Sequence, residues 1–196
     1  MIKNQPKIIL GLVGKFCSGK GSVAEYLVKR YGFISASFSD RIREEISKSG
    51  QEITRDSLQK FAGHMRQEFG PAVLAIKTWE YIQKKRTKKV VVETPRSVEE
   101  VEYLKKIPNF FLINIESDQK IRFKRMKTRN RESDPQTWEE FLLAQKRDLH
   151  KDGRSMEECI AMADLKIENN GTEKELYQEI DDLLKKLRTQ GVPLRA

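Results

Sequence analysis

The stretch Ile8-Ile9-Leu10-Gly11-Leu12-Val13 runs directly into Gly14-Lys15-Phe16-Cys17-Ser18-Gly19-Lys20-Gly21-Ser22, and Val23, Ala24, Leu27 and Val28 then recur at helical spacing. Six residues that are apolar but for one glycine read as a strand buried on both faces. Glycines at 14 and 19 let the backbone curl so that successive N–H groups point inward, and the helix beyond adds the positive end of its dipole. A strand, loop and helix in this order bind phosphate, with Lys20 reaching the terminal oxygens. The hydroxyl that usually follows the lysine is displaced by one position, Gly21 standing there and Ser22 coming next. Cys17 has no neighbouring histidine, since His64 and His150 are the two in the chain, and it reads as a small loop residue. Its place at a helix N-terminus predicts a lowered thiol pKa and sensitivity to alkylation. Lys15 either adds a cation beside the phosphates or points to solvent.

Outward from this unit, short apolar runs alternate with longer helical stretches. The runs are Lys7–Val13, Phe33–Ser37, Lys89–Glu93, Phe110–Ile115 and Asp164–Glu168. Alternation of this kind predicts an α/β fold: a five-stranded parallel sheet, joined by right-handed crossovers and covered on both faces. Two regions break the alternation and read as helical insertions, 38–88 and 122–163. In the first, helices are expected from Ser39 or Asp40, from near Thr54 and from Pro71. In the second, helix follows helix, interrupted at Asp134-Pro135 and Asp152-Gly153. The whole chain, 1–196, reads as one domain.

The chain has 196 residues, with 38 Lys and Arg against 29 Asp and Glu, a net charge of +9. Apolar types make up 38%, enough to bury a core, which argues against wholesale disorder. Cys17 and Cys159 alone cannot form a disulfide framework or a zinc site. No apolar run near the N-terminus spans a bilayer and no small-residue cleavage site follows one, so a soluble, cytoplasmic protein with no membrane partner is expected. The positive balance points to an anionic partner. Lys84-Lys85-Arg86-Thr87-Lys88-Lys89 is one basic cluster, read first as a solvated helix end. A second runs from Arg122 through Lys124, Arg125, Lys127 and Arg129 to Arg131.

Phe38-Ser39-Asp40-Arg41-Ile42-Arg43-Glu44-Glu45 follows the second strand, and Val91-Val92-Glu93-Thr94-Pro95-Arg96 ends the third. Alone, the former is an ordinary capped helix with Arg43 on the face of Asp40. Together with the loop they resemble the P-loop nucleoside monophosphate kinase superfamily. The Gly-Lys-Gly-hydroxyl order is similar to that of adenylate kinases. Arg66-Gln67-Glu68-Phe69-Gly70-Pro71, Asp134-Pro135-Gln136-Thr137-Trp138-Glu139-Glu140-Phe141 and Asn169-Asn170-Gly171-Thr172 extend the likeness to archaeal and bacterial proteins that look like dephospho-coenzyme A kinases. The resemblance implies a three-layer P-loop NTPase fold, with the insertions serving as acceptor-binding region and lid.

It also implies roles for residues. Gly14, Cys17, Ser18, Gly19, Lys20, Gly21 and Ser22 would hold the phosphates of ATP, and Asn170 and Gly171 would meet its adenine through main-chain atoms. Ser22 and Glu93 would hold Mg²⁺; Glu93 is one methylene longer than the Asp of related chains, and Thr94 replaces their Gly. Asp40, Arg43 and Arg96 would bind the acceptor, a small-molecule nucleotide. Lys20, Arg125, Arg129 and Arg147 would carry catalysis, the arginines from the lid, because phosphoryl transfer needs alignment and cations on the developing charge. Trp138 and Phe141 are expected to pack the lid. The expected activity is transfer of the γ-phosphoryl group of Mg-ATP to a nucleoside monophosphate or similar acceptor. Dephospho-coenzyme A kinase is the alternative within that class; a nucleotide-binding regulatory ATPase that contacts RNA or protein through the Lys84–Lys89 cluster is the alternative outside it.

Overall fold

The computed structural model describes residues 7–85, 87–93, 95–129, 134–151 and 154–192. Arg86, Thr94, Arg131 and the Asp152-Gly153 break lie outside the described residues. In chain order the elements are β1 (Ile8–Val13), α1 (Lys20–Tyr31), β2 (Ile34–Ser37), α2 (Phe38–Lys48), α3 (Arg55–Phe69), α4 (Val73–Lys85), β3 (Lys89–Glu93) and α5 (Val98–Lys105). They continue with β4 (Phe110–Glu116), α6 (Gln119–Arg129), α7 (Trp138–Leu149), β5 (His150–Lys151), β6 (Arg154–Ser155), α8 (Met156–Ala161), β7 (Leu165–Glu168) and α9 (Glu173–Thr189).

Five strands form one parallel sheet in the order β2-β3-β1-β4-β7. Side chains alternate across β1, and each set feeds its own core. Ile8, Leu10 and Leu12 pack with Val23, Leu27, Ile180 and Leu184 of α1 and α9. Ile9 and Val13 pack with Ile46, Leu74, Val101 and Cys159 of α2, α4, α5 and α8. Gly11 lies on this second face, where a Cβ would meet the Phe110 ring at 2.6 Å. The near-continuous apolar strands of the sequence are therefore the middle layer of three. β1 sits centrally, between β3 and β4, and the loop that follows it opens at the carboxyl edge of the sheet, where such sheets bind ligands.

Local signals set most helix ends. Thr54 caps α3 and Thr172 caps α9, each in a reciprocal capping box, with Ser57 and Glu175 respectively. Gly32 ends α1 at φ 68°. Two expectations need correction. Pro71 does not open a helix; Pro71 and Ala72 form a turn and α4 begins at Val73. The region around 150–155 is not helical throughout, because His150 pairs with Ser155 and Lys151 with Arg154 in a short antiparallel ladder between α7 and α8. A two-residue ladder leaves too short a period-2 pattern to register against flanking helical spacing.

Candidate active site

The loop between β1 and α1 wraps its own lysine. Lys20 Nζ donates to the carbonyl of Gly14 at 2.7 Å and to that of Lys15 at 3.1 Å. Gly14 has φ 146° and Gly19 φ 101°, both in territory that favours glycine. A Cβ on Gly14 would collide with the carbonyl oxygen of Ile115, and one on Gly19 with the side-chain amide of Asn169. Cys17 takes φ 62° without being glycine, so the arch carries local strain there. Lys20 is partly buried, and loss of water pulls its ammonium down to about 8, opposed by the carboxylate of Asp148. Arg96, also beside it, adds to the depression.

The thiol of Cys17 departs from expectation. Its pKa is raised, chiefly by burial, with the positive charge of Arg129 acting the other way. Desolvation of a half-buried thiol favours its neutral form, so alkylation at Cys17 is disfavoured rather than promoted. Lys15 is exposed and lines a cavity of about 520 Å³ with Asn114, Asp118, Arg122, Gln145 and Asn170.

Two arginines of α6 brace the loop from behind. Arg122, 2% exposed, donates to the carbonyl of Phe16 at 2.9 Å, to that of Ser117 at 2.9 Å and to Gln145 Oε1 of α7 at 2.5 Å. Arg125 donates to the carbonyl and the Oδ1 of Asn169 at 2.8 and 2.9 Å, and to the carbonyl of Gly171 at 3.2 Å. Asn169 passes this on, its side-chain amide donating to the carbonyl of Ser18 at 2.8 Å. Asn170 Oδ1 accepts from the N–H of Asp118 at 2.8 Å. The turn after β7 is thus tied at once to the phosphate loop and to the start of α6.

Aromatic packing supplies a further brace. Phe16 of the loop meets Phe141 of α7 with ring centroids 6.1 Å apart, and Phe141 meets Phe123 and Trp138 at 5.4 and 5.6 Å. Trp138 and Phe141 therefore pack α7 against α6 and the loop, as expected. Arg129 forks onto Asp134 at 2.7 and 2.6 Å and lies over the Phe16 ring at 5.1 Å.

On the other side of Lys20 the arginines are paired with carboxylates. Arg96 donates through one guanidinium nitrogen to Asp148 Oδ1 at 2.7 Å. Its backbone N–H donates to Glu100 Oε2 at 2.7 Å, and the fully buried Glu100 accepts from Arg66 of α3 at 2.6 and 3.1 Å. Arg43 and Asp40 pair at 3.0 Å on an exposed face of α2, so Arg43 and Arg96 each have their own carboxylate. Arg41, between them, is the buried one, stacked over Tyr81 at 3.6 Å and donating to Glu44 at 2.7 Å. Glu93, at the carboxyl end of β3, accepts at 2.6 Å from the hydroxyl of Ser35, the second residue of β2.

Of the residues singled out from sequence, Gly14, Cys17, Ser18, Gly19, Lys20, Gly21 and Ser22 form one continuous arch and helix start; Asn170 lines the same cavity as Lys15, and Gly171 accepts from Arg125. Arg147 lies on the exposed side of α7; Phe141 and Leu149 of that helix are buried, and the half-buried Gln145 and Asp148 turn toward Arg122 and Arg96. Sequence reasoning passed over Asp148, Glu100, Arg66 and Asn169 as site residues and left Arg122 as one cation of a stripe. Its spacing of three from Arg125 was the available signal; burial was not.

The arch suits a nucleotide phosphate chain: glycine where a Cβ would clash, an ammonium held at the rim, and a helix start beyond it. Among the described residues no three His, Cys, Asp or Glu side chains gather as a metal cage. A divalent ion here would rest on phosphate oxygens and water with Ser22 and Glu93, which is the habit of Mg²⁺. Also among the described residues, no helix is long and apolar enough to cross a membrane.

Comparison with known proteins agrees with this geometry. Residues 13–141, from the end of β1 into α7, match the family described as AAA domain. The solved shikimate kinase from Bacteroides thetaiotaomicron superposes with a TM-score of 0.58 over 92% of this chain and 98% of that one, at 11% identity, a likeness of fold alone. A UPF0200 protein of Methanocaldococcus jannaschii is 34% identical over 182 residues, covering 92% of this chain and 90% of its own length. One from Pyrococcus horikoshii is 37% identical over 185 residues, with coverages of 92% and 97%. At that identity and coverage the chain belongs to the UPF0200 family, built on a P-loop kinase-like domain.

Proposed function

We propose that this protein is an ATP-dependent phosphotransferase that passes the γ-phosphoryl group of Mg-ATP to a nucleoside monophosphate or a similar phosphate-bearing acceptor. The observation that supports it most is the meeting of two cations from different parts of the chain. Lys20 is held on the carbonyls of the loop after β1, and Arg96 follows β3, the strand paired with β1, so both stand at the carboxyl edge of the sheet. Phosphoryl transfer asks for that: one cation on the donor's phosphates, another on the acceptor, and alignment between them. Arg125 and Arg129 would steady the developing charge from the lid side, Arg147 would join them on closure, and Asp40 with Arg43 would complete the acceptor's clasp. Asn170 and Gly171 would border the base.

Release of ADP, followed by a coupled assay across ribo- and deoxynucleoside monophosphates and dephospho-coenzyme A, tests the reading. Acceptor-stimulated turnover is expected with at least one nucleoside monophosphate. Stimulation by dephospho-coenzyme A alone would reassign the acceptor, and stimulation by none would overturn the proposal. A regulatory role with RNA rests on exposed Lys84, Lys85 and Lys88 near the amino edge of the sheet, away from the loop. An RNA shift that weakens steeply with salt is what that reading requires.

A further inference from the structure

We propose that Asp148 selects the acceptor: it holds the guanidinium of Arg96 and yields it to a group carrying the charge and the two oxygens of a phosphate dianion. The proposal rests on the reading of Arg96 as an acceptor-side residue. Three inward residues of α7 carry the argument, Phe141, Gln145 and Asp148, which fall on one helical face. Phe141 packs on Phe16 of the phosphate loop. Gln145 accepts from Arg122, which itself holds the Phe16 carbonyl. Asp148, less than one turn further, meets Arg96. The donor loop therefore dictates where the carboxylate of Asp148 stands, and that carboxylate occupies the cation expected to receive the acceptor.

The strength of the contact suits exchange. Arg96 binds Asp148 through a single guanidinium nitrogen, and the two side chains keep 47% and 21% of their surface exposed. One-point ion pairs near solvent are weak, whereas a phosphate can take two parallel N–H donors from the same fork. A hydroxyl or a neutral sugar offers neither the charge nor the second oxygen and leaves the pair closed. Glu100 supports the exchange from below: it holds the Arg96 backbone N–H, so the guanidinium can change partner while its anchor stays in place. Freed Asp148 remains on α7 beside Lys20, which also faces Arg96, Cys17 and Arg122.

The test has a ligand-free arm and a binding arm. In side-chain NMR of lysine-labelled protein, the Lys20 titration midpoint is expected to fall in Asp148→Asn and to rise in Arg96→Ala; no movement in either variant overturns the geometry. In calorimetry with a saturating non-hydrolysable ATP analogue, Asp148→Asn is expected to bind adenosine monophosphate about 3- to 10-fold more tightly than the parent, with adenosine unchanged. The gain should vanish when Arg96→Ala is added. Equal affinity for adenosine monophosphate in parent and Asp148→Asn, or a gain that survives loss of Arg96, overturns the proposal. Inorganic phosphate, run as a second probe, separates the two readings. A gain for phosphate in a protein that phosphorylates no acceptor keeps Asp148 as gatekeeper and discards the transferase.

Discussion

The phosphate loop and the arginine rim share one edge of the sheet and are built in opposite ways. The loop is nine consecutive residues whose ligating groups are backbone N–H donors, shaped by glycines at φ 146° and 101° and closed by a lysine that bonds its own carbonyls. The rim is assembled from side chains far apart in sequence: Arg66 and Glu100 are 34 positions apart, and Arg96 and Asp148 are 52. A backbone cradle is rigid because its conformation is its binding site. In the rim the pair near solvent, Arg96 with Asp148, can exchange its partner, while the buried pair of Arg66 with Glu100 anchors it. The donor side is thereby expected to fail all at once when disturbed, and the acceptor side by degrees.

The sharpest break of that contrast is Lys20→Ala. It is expected to lower turnover by about a thousandfold or more, since a preorganised cation at developing charge is lost; single-turnover phosphoryl transfer measures it, and near-parental rates would remove the loop from the mechanism. Arg96→Ala comes next. Loss of a charge-assisted contact to the acceptor should cost about 100-fold in its kcat/KM while affinity for an ATP analogue holds. Arg43→Ala, at an exposed pair, should cost less, about tenfold; if the order is reversed, α2 rather than the segment after β3 carries the acceptor.

Glu100→Gln strikes the rim through its foundation. The Arg66 guanidinium keeps an oxygen but loses its counter-charge in a buried place, which should reduce folding stability by about 2–3 kcal/mol, read from the urea midpoint. An unchanged midpoint would mean that α3 and α5 are held together by apolar packing alone.

A pH series addresses the loop without mutation. Lys20 is lowered to about 8 by burial. The phosphate chain binds its protonated form, so affinity for an ATP analogue is expected to be full below that value. It should then weaken by up to about tenfold per pH unit above it, until the bound-state pKa is reached. A flat profile to alkaline pH would show that the lysine does not sense the phosphates.

Much of this was legible in order along the chain. Ile8–Val13 read as a doubly buried strand because every position is apolar or glycine, and Gly14–Ser22 read as a phosphate loop because its donors are neighbours in sequence. The capping box of Thr172 and Glu175 at the start of the last helix is likewise local, complete within four residues. The parallel α/β alternation and the loop's place between the first strand and the first helix follow from such local rules, about backbone periodicity and covalent neighbours, whereas the strand order β2-β3-β1-β4-β7 and the contacts of Lys20 with the Gly14 and Lys15 carbonyls do not. What tertiary structure alone decided is which side chain of each stripe meets which partner. Arg122, Arg125 and Arg129 look alike in sequence, yet one is buried against the Phe16 carbonyl, one is bound to the turn after β7 and one is forked onto Asp134. Arg147 was a candidate cation and Asp148 was not, although it is Asp148 that faces Arg96. Adjacent helical residues point about 100° apart, so a one-residue difference decides whether a charge meets solvent or the site, and no pattern of charges along the chain contains that angle until α7 is packed on Phe16.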